Sequence, residues 1–246
     1  MNHYGLVGNP VSHSLSEKYF SDKFLLENID ARFERFLLKD VHALPQILDA
    51  YPLLKGLSVT SPFKESVIPY CHTLDPISKK VRAVNTLKIS RDGKKRRIEG
   101  FNTDVDGFAA TLIHVIGKKK PDALILGSGG AARAVAFALS RLGMKYVVIS
   151  RKPQDGVLTY ADVNATLLRS HKLIINATPL GMVKYSNELP EIPYHFLDSG
   201  HILFDLIYNP PETPFLLKGR EYNASTVNGM MMLQVQAEKA WNIWQA

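Results

Sequence analysis

The chain has a single cysteine, Cys71, so no disulfide can form within it, and the stapled architecture of small secreted domains is excluded. Long apolar runs are missing as well: a stretch such as Ala134 to Leu139 is far short of the ~20 residues that cross a bilayer, so no transmembrane helix can be drawn. The opening Met1-Asn2-His3-Tyr4 carries neither the basic flank nor the apolar stretch of a signal peptide. A reducing, cytoplasmic setting without membrane association is therefore expected. Proline and glycine, 14 and 16 of 246 residues, are too few and too irregular for a fibrous or low-complexity chain. Metal-ligand spacing is also lacking. His3, His42, His72, His114, His171, His195 and His201 are scattered, and Cys71 stands alone, so no metal is expected.

What is present is a globular composition, 46% hydrophobic and 22% charged, in a length that suits one large or two modest domains. The net charge of +7 and a pI of about 9.3 favour anionic partners. Lys94 to Arg97 and Lys118 to Lys120 are the densest basic runs, but neither is interleaved with the aromatics of a single-strand binding face. They read as solvated turns, and no nucleic-acid partner is expected. Phosphorylated cofactors and carboxylate substrates are the remaining anions.

Short apolar, β-branched runs alternate with stretches of helical period, which predicts an α/β fold with mainly parallel sheets. Strands are expected at Tyr4 to Val7, Ala31 to Leu37 and Gly56 to Val59, with helices at Ser16 to Asn28 and Leu44 to Tyr51 between them. Asn85 to Ser90 and Arg97 to Phe101 flank an Arg91-Asp92-Gly93 turn and read as a hairpin on the edge of a first unit. A helix at Val105 to Ile116 and a polar break at Gly117 to Pro121 lead into a second α/β unit. There the strands are Ala123 to Leu126, Tyr146 to Ser150, Leu173 to Ala177 and Ile202 to Asp205, with a helix at Gly130 to Leu142. Leu233, Ala237, Ala240, Trp241 and Trp244 recur at helical spacing, and such a stripe needs an apolar surface, expected on the first unit.

Gly127-Ser128-Gly129-Gly130-Ala131-Ala132 follows a four-residue apolar strand and opens a helix, fitting G-x-G-x-x-A. Gly127 permits the tight turn, Gly129 lets backbone approach a pyrophosphate, and the helix N-terminus offers free N–H groups to it. An acidic residue about 20 positions later would bind the ribose of NAD, but this chain has Ser150-Arg151-Lys152. Two cations without a carboxylate suit a 2′-phosphate, so NADP is the expected cofactor. In the first half, polar residues gather where strands meet loops: Ser14 and Ser16, Thr60 and Lys64, Asn85, and Asn102-Thr103-Asp104. Singly, each has a plain alternative as a helix cap, a turn residue or a surface charge. Together they could converge on one hydroxylated, anionic small molecule.

The order and spacing of these clusters resemble the shikimate dehydrogenase family over nearly the whole chain. Gly8-Asn9-Pro10-Val11-Ser12-His13-Ser14-Leu15-Ser16 is similar to its opening motif, and Val59-Thr60-Ser61-Pro62-Phe63-Lys64 to its lysine motif. Ala83-Val84-Asn85-Thr86, Gly100-Phe101-Asn102-Thr103-Asp104 and Asn176-Ala177-Thr178-Pro179-Leu180-Gly181 follow in order. Asp205-Leu206-Ile207-Tyr208-Asn209-Pro210 comes next, and then Gly229 through Met232-Leu233 to Gln236. The resemblance implies NADPH-dependent, reversible reduction of 3-dehydroshikimate to shikimate in aromatic amino acid biosynthesis. It implies Lys64 and Asp104 as the catalytic pair. Ser14, Ser16 and Tyr208 would hold the substrate carboxylate, and Thr60, Asn85, Asp104 and Gln236 its other oxygens. Gly127, Ser128, Gly129, Gly130, Ala131, Ser150, Arg151, Lys152, Thr178, Leu206, Gly229 and Met232 would meet the cofactor.

The fold implied is two α/β domains flanking a cleft, the second a Rossmann-type dinucleotide domain, with the C-terminal helix returning to the first. Residues 1–104 plus 229–246 would form the substrate-binding domain and 105–228 the NADP domain, as a monomer or homodimer. Ser58, Glu17 and Ser150 depart from the family pattern, none of them a reacting group, and His13 is expected to be structural. A dehydrogenase acting on quinate would share nearly every motif. A non-catalytic NADP-binding regulator could keep the glycine loop and lose the reacting pair, but both Lys64 and Asp104 are present.

Overall fold

Tyr4 to Val7 is apolar on both sides of a strand, and such a strand needs a packed layer on each face. The computed structural model describes residues 1–12, 14–93, 95–153 and 155–246, so His13 and the Lys94 end of one basic run lie outside the described residues. The chain divides into two compact units, residues 1–104 with 234–246 and residues 105–233.

In the first unit, β1 (Asn2–Gly8), α1 (Ser16–Leu26), β2 (Ala31–Leu37), α2 (Leu44–Ala50) and β3 (Leu54–Val59) alternate as the hydrophobic pattern predicts. They are followed by β4 (Thr73–Leu74), α3 (Pro76–Val81), β5 (Thr86–Asp92) and β6 (Lys95–Phe101). The sheet order is β2-β1-β3-β5-β6-β4. The first three strands are parallel, and β5 runs antiparallel to both β3 and β6. The hairpin is therefore not the edge of the sheet: the two-residue β4 pairs outside β6. No hydrophobic period marks so short a strand. The hairpin strands also run further than their apolar residues do, to Asp92 and from Lys95, because backbone pairing continues past the last buried side chain.

The second unit begins with α4 (Asp104–Ile116), whose first residue closes the first unit. It continues through β7 (Ala123–Leu126), α5 (Gly130–Arg141), β8 (Tyr146–Ser150), β9 (Leu158–Thr159), α6 (Ala165–Ser170), β10 (Leu173–Asn176), β11 (Ile202–Asp205), α7 (Pro214–Glu221), β12 (Ser225–Val227) and α8 (Met230–Gln245). The strands form one parallel sheet in the order β12-β11-β10-β7-β8-β9, the doubly wound Rossmann type. The chain passes back to the first unit between Leu233 and Gln234, inside α8, whereas the sequence placed that boundary at 228/229. Gly229 N–H donates to the Ile207 carbonyl at 2.9 Å, which keeps the first turn of α8 with the second unit.

The later turns of α8 close the aromatic layer of the first unit. Tyr4, Phe20, Phe24, Phe33, Trp241 and Trp244 pack together, while Val7, Phe36, Leu44, Leu48 and Leu57 form a separate cluster. Alternation along β1, with Tyr4 and Leu6 in one cluster and Val7 in the other, divides the two layers. Trp244 stacks on Tyr4 with ring centroids 5.0 Å apart, and its indole N–H donates to the Leu87 carbonyl at 3.0 Å. Its ring fills the space where a Cβ on Gly56 would sit. Truncating so large a buried aromatic leaves a cavity and removes the indole donor from the Leu87 carbonyl. Trp244→Ala should lower unfolding free energy by about 3–5 kcal/mol in urea denaturation, whereas Leu217→Ala, at an exposed site, should change it by about 0.5 kcal/mol or less.

Candidate active site

In the first sheet, β1 lies between β2 and β3, so the loops leaving β1 and β3 part in opposite directions from neighbouring strands. Such a point is where open α/β sheets bind ligands. Thr60 N–H donates to the Val7 carbonyl at 2.9 Å and Asn9 N–H to the Ser61 carbonyl at 3.1 Å, tying the two loops together. Because β5 is antiparallel, its beginning reaches the same edge as the ends of β1, β3 and β6. Asn85, Lys64 and Asp104 thus meet although 40 residues separate the last two.

The Lys64 ammonium donates to Asp104 Oδ2 at 2.7 Å, with side-chain exposures of 18% and 2%. Asn85 Nδ2 lies 2.9 Å from Asp104 Oδ1, 2.9 Å from Thr103 Oγ1 and 3.0 Å from Gln236 Oε1 on α8. Asn85 Oδ1 accepts from Thr103 N–H at 2.8 Å and from Thr86 Oγ1 at 3.1 Å. Both oxygens of Asp104 are engaged by side chains, so its carboxylate is aimed into this network. The backbone fixes the pair: Val84 N–H donates to the Lys64 carbonyl at 2.7 Å and Asn85 N–H to the Phe101 carbonyl at 3.0 Å. An amide group has only two hydrogens for the three acceptors around Asn85 Nδ2, so one acceptor is left free to exchange partners.

Ser14 and Ser16 stand together at the start of α1, with Ser14 Oγ donating to Ser16 Oγ at 3.1 Å and accepting Ser16 N–H at 3.2 Å. Neither is the N-cap, which is Leu15 and makes no side-chain cap. Glu17 pairs with Arg35 at 2.7 Å, and Arg35 also donates to the Ser12 carbonyl at 2.8 Å, which pins this loop to β2. Ser58 lies on β3 opposite Thr86.

The remaining sequence-nominated residues belong to the second unit. Its sheet changes direction between β7 and β10, and Gly127 follows β7 there with φ of +112°, a conformation that glycine alone adopts easily. Gly129 is the N-cap of α5 and makes no side-chain cap, so the first-turn N–H groups of Gly130 and Ala131 have no acceptor within the helix. A Cβ at Gly129 would meet nothing within 4 Å. Ser128 and Ser150 hydroxyls are 3.2 Å apart, joining the glycine loop to the end of β8. Arg151 and Lys152 follow, both exposed. An open backbone cradle beside two solvent-facing cations fits a dinucleotide carrying a 2′-phosphate.

Thr178 is less available than its motif implied, since its hydroxyl donates to Asn176 Oδ1 at 2.6 Å and accepts Leu180 N–H at 3.2 Å. Gly229 lies against Leu206, whose carbonyl occupies the place of a Cβ. Met232 is buried on α8 and Tyr208 is half-buried beyond β11.

A family model for the shikimate dehydrogenase substrate binding domain matches residues 6–87. The NADP(+) shikimate dehydrogenase of Carboxydothermus hydrogenoformans is 33% identical over 260 residues, covering 98% of this chain and 90% of the relative. The chain belongs to the shikimate dehydrogenase family. Among solved family structures, shikimate dehydrogenase 1 from Peptoclostridium difficile has a TM-score of 0.86 at 32% identity, covering 100% of this chain and 92% of that one. The Thermus thermophilus enzyme in complex with NADP(H) and shikimate has a TM-score of 0.86 at 30% identity, covering 99% and 93%. No helix among the described residues of this family member is long and apolar enough to cross a membrane.

Sequence reasoning passed over Asp205 as a site residue, although it quoted the motif that Asp205 begins. Its carboxylate is fully buried and accepts hydrogen bonds from Thr213, Ile207 and Asn176. Burial pushes the carboxyl up to about 6 against the pull of those three donors. An unfolded aspartate titrates near pH 4, so the folded form takes the proton more readily. This contribution to stability is fully present below about pH 4 and is lost as pH rises through about 6, a swing of about 3 kcal/mol. Wild type should therefore lose stability relative to Asp205→Asn by about 2 kcal/mol between pH 4 and pH 7 in urea titrations.

Proposed function

We propose that this protein is an NADP-dependent shikimate dehydrogenase that reversibly reduces 3-dehydroshikimate to shikimate, serving chorismate and aromatic amino acid biosynthesis. The observation that carries the reading is the Lys64–Asp104 pair at 2.7 Å, wired through Asn85 to Gln236. NADPH, when bound, supplies the hydride. Reduction of a ring carbonyl builds negative charge on its oxygen, and the Lys64 ammonium stabilises that charge and delivers the proton. Asp104 holds the ammonium in place and retains lone pairs for a substrate hydroxyl. Asn85, Thr60 and Gln236 bind the remaining hydroxyls, and Ser14, Ser16 and Tyr208 hold the carboxylate. A regulator that only bound NADP would need no such buried ion pair.

Gly127 to Ala131 cradle the pyrophosphate, with Ser150, Arg151 and Lys152 at the 2′-phosphate, and Thr178, Leu206, Gly229 and Met232 along the rest of the cofactor. We assign the substrate role to residues 1–104 with the C-terminal part of α8, and the cofactor role to the second unit. The setting proposed is cytoplasmic, as a monomer or homodimer without a nucleic-acid partner. In the hairpin's basic run, Arg96 pairs with Asp49 at 2.6 Å and Arg97 with Glu99 at 3.5 Å, which fits a solvated turn.

Absorbance at 340 nm with shikimate or quinate and each cofactor tests the assignment, and turnover of quinate alone would replace it with a quinate dehydrogenase. Lys64→Ala should reduce kcat by at least ~100-fold with little change in KM for shikimate, whereas Asp104→Ala should lower kcat and raise KM together. The double variant should be less impaired than the product of the single effects, since the two residues act as one unit. Arg151→Ala should weaken NADP by roughly 10- to 150-fold and NAD far less, measured by isothermal titration.

A further inference from the structure

Asp205 ends β11 and Asn176 ends the neighbouring β10, directly opposite each other in the sheet. Asp205 Oδ1 accepts Ile207 N–H at 3.0 Å and Asn176 Nδ2 at 3.1 Å, and Oδ2 accepts the Thr213 hydroxyl at 2.6 Å. Three donors from three segments therefore converge on one carboxylate with no exposed surface. Two of those segments leave adjacent strands, and the third, Thr213, caps α7 by accepting Leu216 N–H at 3.4 Å.

Asn176 extends the frame into the next loop. Its remaining amide hydrogen goes to the Leu180 carbonyl at 3.1 Å, and its oxygen accepts Thr178 N–H at 3.0 Å and the Thr178 hydroxyl at 2.6 Å. On the other side, Ile207 carries Leu206 and Tyr208 as its neighbours, and its carbonyl accepts Gly229 N–H at 2.9 Å. Asp205 and the residues bonded to it thus tie both loops to the strand ends. A neutral amide at this place has one acceptor oxygen, where a carboxylate has two.

We propose that Asp205 is a positioning residue whose buried carboxylate holds the Thr178–Leu180 loop and the Leu206–Tyr208 loop in one frame, setting the second unit's cofactor and substrate contacts together. The proposal rests on the dehydrogenase reading above for what those contacts bind. Asp205 has no exposed surface, and its carboxylate is taken up by Asn176, Ile207 and Thr213. It acts through Asn176 and Ile207, and its loss would strand three buried donors.

The test compares full-length wild type, Asp205→Ala, Asp205→Asn and Asn176→Ala well below their melting temperatures. Readouts are the NADP Kd by calorimetry, the KM for shikimate, and amide exchange at Thr178, Leu180 and Ile207. Asp205→Ala should raise Kd and KM each by about tenfold or more and speed exchange in both loops, since three hydrogen bonds are lost. Asp205→Asn, which keeps one acceptor and the volume, should bring both constants back to within about threefold. Asn176→Ala releases only the first loop, so Kd should rise about tenfold while KM stays within about threefold. If Asp205→Ala does not fold, the Asn176→Ala split still decides. A lower melting temperature with unchanged Kd and KM in Asp205→Ala would overturn the proposal, as would Asn176→Ala moving both constants or neither. Wild type that fails to turn over shikimate would overturn the dehydrogenase reading instead, while NADP affinity and amide exchange would still judge the frame.

Discussion

A lysine ammonium held 2.7 Å from a carboxylate that is 2% exposed is the constraint around which the first unit is organised. Taking two charges out of water is costly unless each finds its partner and the remaining lone pairs are satisfied. Here Asn85 satisfies the second carboxylate oxygen, and Thr103 and Thr86 satisfy Asn85 in turn. Among the described residues the Ser78 hydroxyl is the one buried side-chain polar atom without a partner, so each fully buried polar atom of this network has at least one within reach. Hydrogen bonds in such a partly buried network are strengthened by the low dielectric, which holds the Lys64–Asp104 pair together while one acceptor beside Asn85 can still exchange partners.

The second unit solves a related problem with the opposite balance. Among the described residues, the groups at the Asp205 carboxylate are hydrogen-bond donors rather than a cation, so burial wins over them and the proton is held more tightly than in water. In the first unit the buried carboxylate faces an ammonium on one oxygen and an amide on the other. Asp205 ends β11, and Asp104 opens α4 just beyond the end of β6. That is where backbone groups run out of ladder partners and side chains must take over.

The sequence was legible where a long period or a dense motif repeated the same information. β2, β7, β8 and β11 have the boundaries their apolar runs predicted, and the glycine loop lies at the turn from β7 into α5. Short elements carried no period and were missed: α3, α6 and α7 of 6, 6 and 8 residues. Each nevertheless has a cap that could have been read. Asp75 before Pro76, Asn164 before Ala165 and Thr213 before Pro214 accept first-turn N–H groups, and two of the three are followed by the proline that favours a helix start. Asp205 was missed for a different reason, since nothing local distinguishes a buried carboxylate at a strand end from an exposed one.

By itself, the sequence determined the alternation of strands and helices, the glycine turn, the cations that follow β8, and which polar side chains stand where strands meet loops. Those are properties of short stretches, set by period, by backbone freedom at glycine and by side-chain chemistry. Only the tertiary structure decided that β5 runs antiparallel, bringing Asn85 to the edge where Lys64 and Asp104 lie, and that α8 returns Gln236 to the same network. It also decided that Glu17 anchors its loop through Arg35 and that the Thr178 hydroxyl is spent on Asn176. Strand direction and hydrogen-bond partnership depend on residues far apart in the chain, whose meeting is settled by which apolar faces pack together.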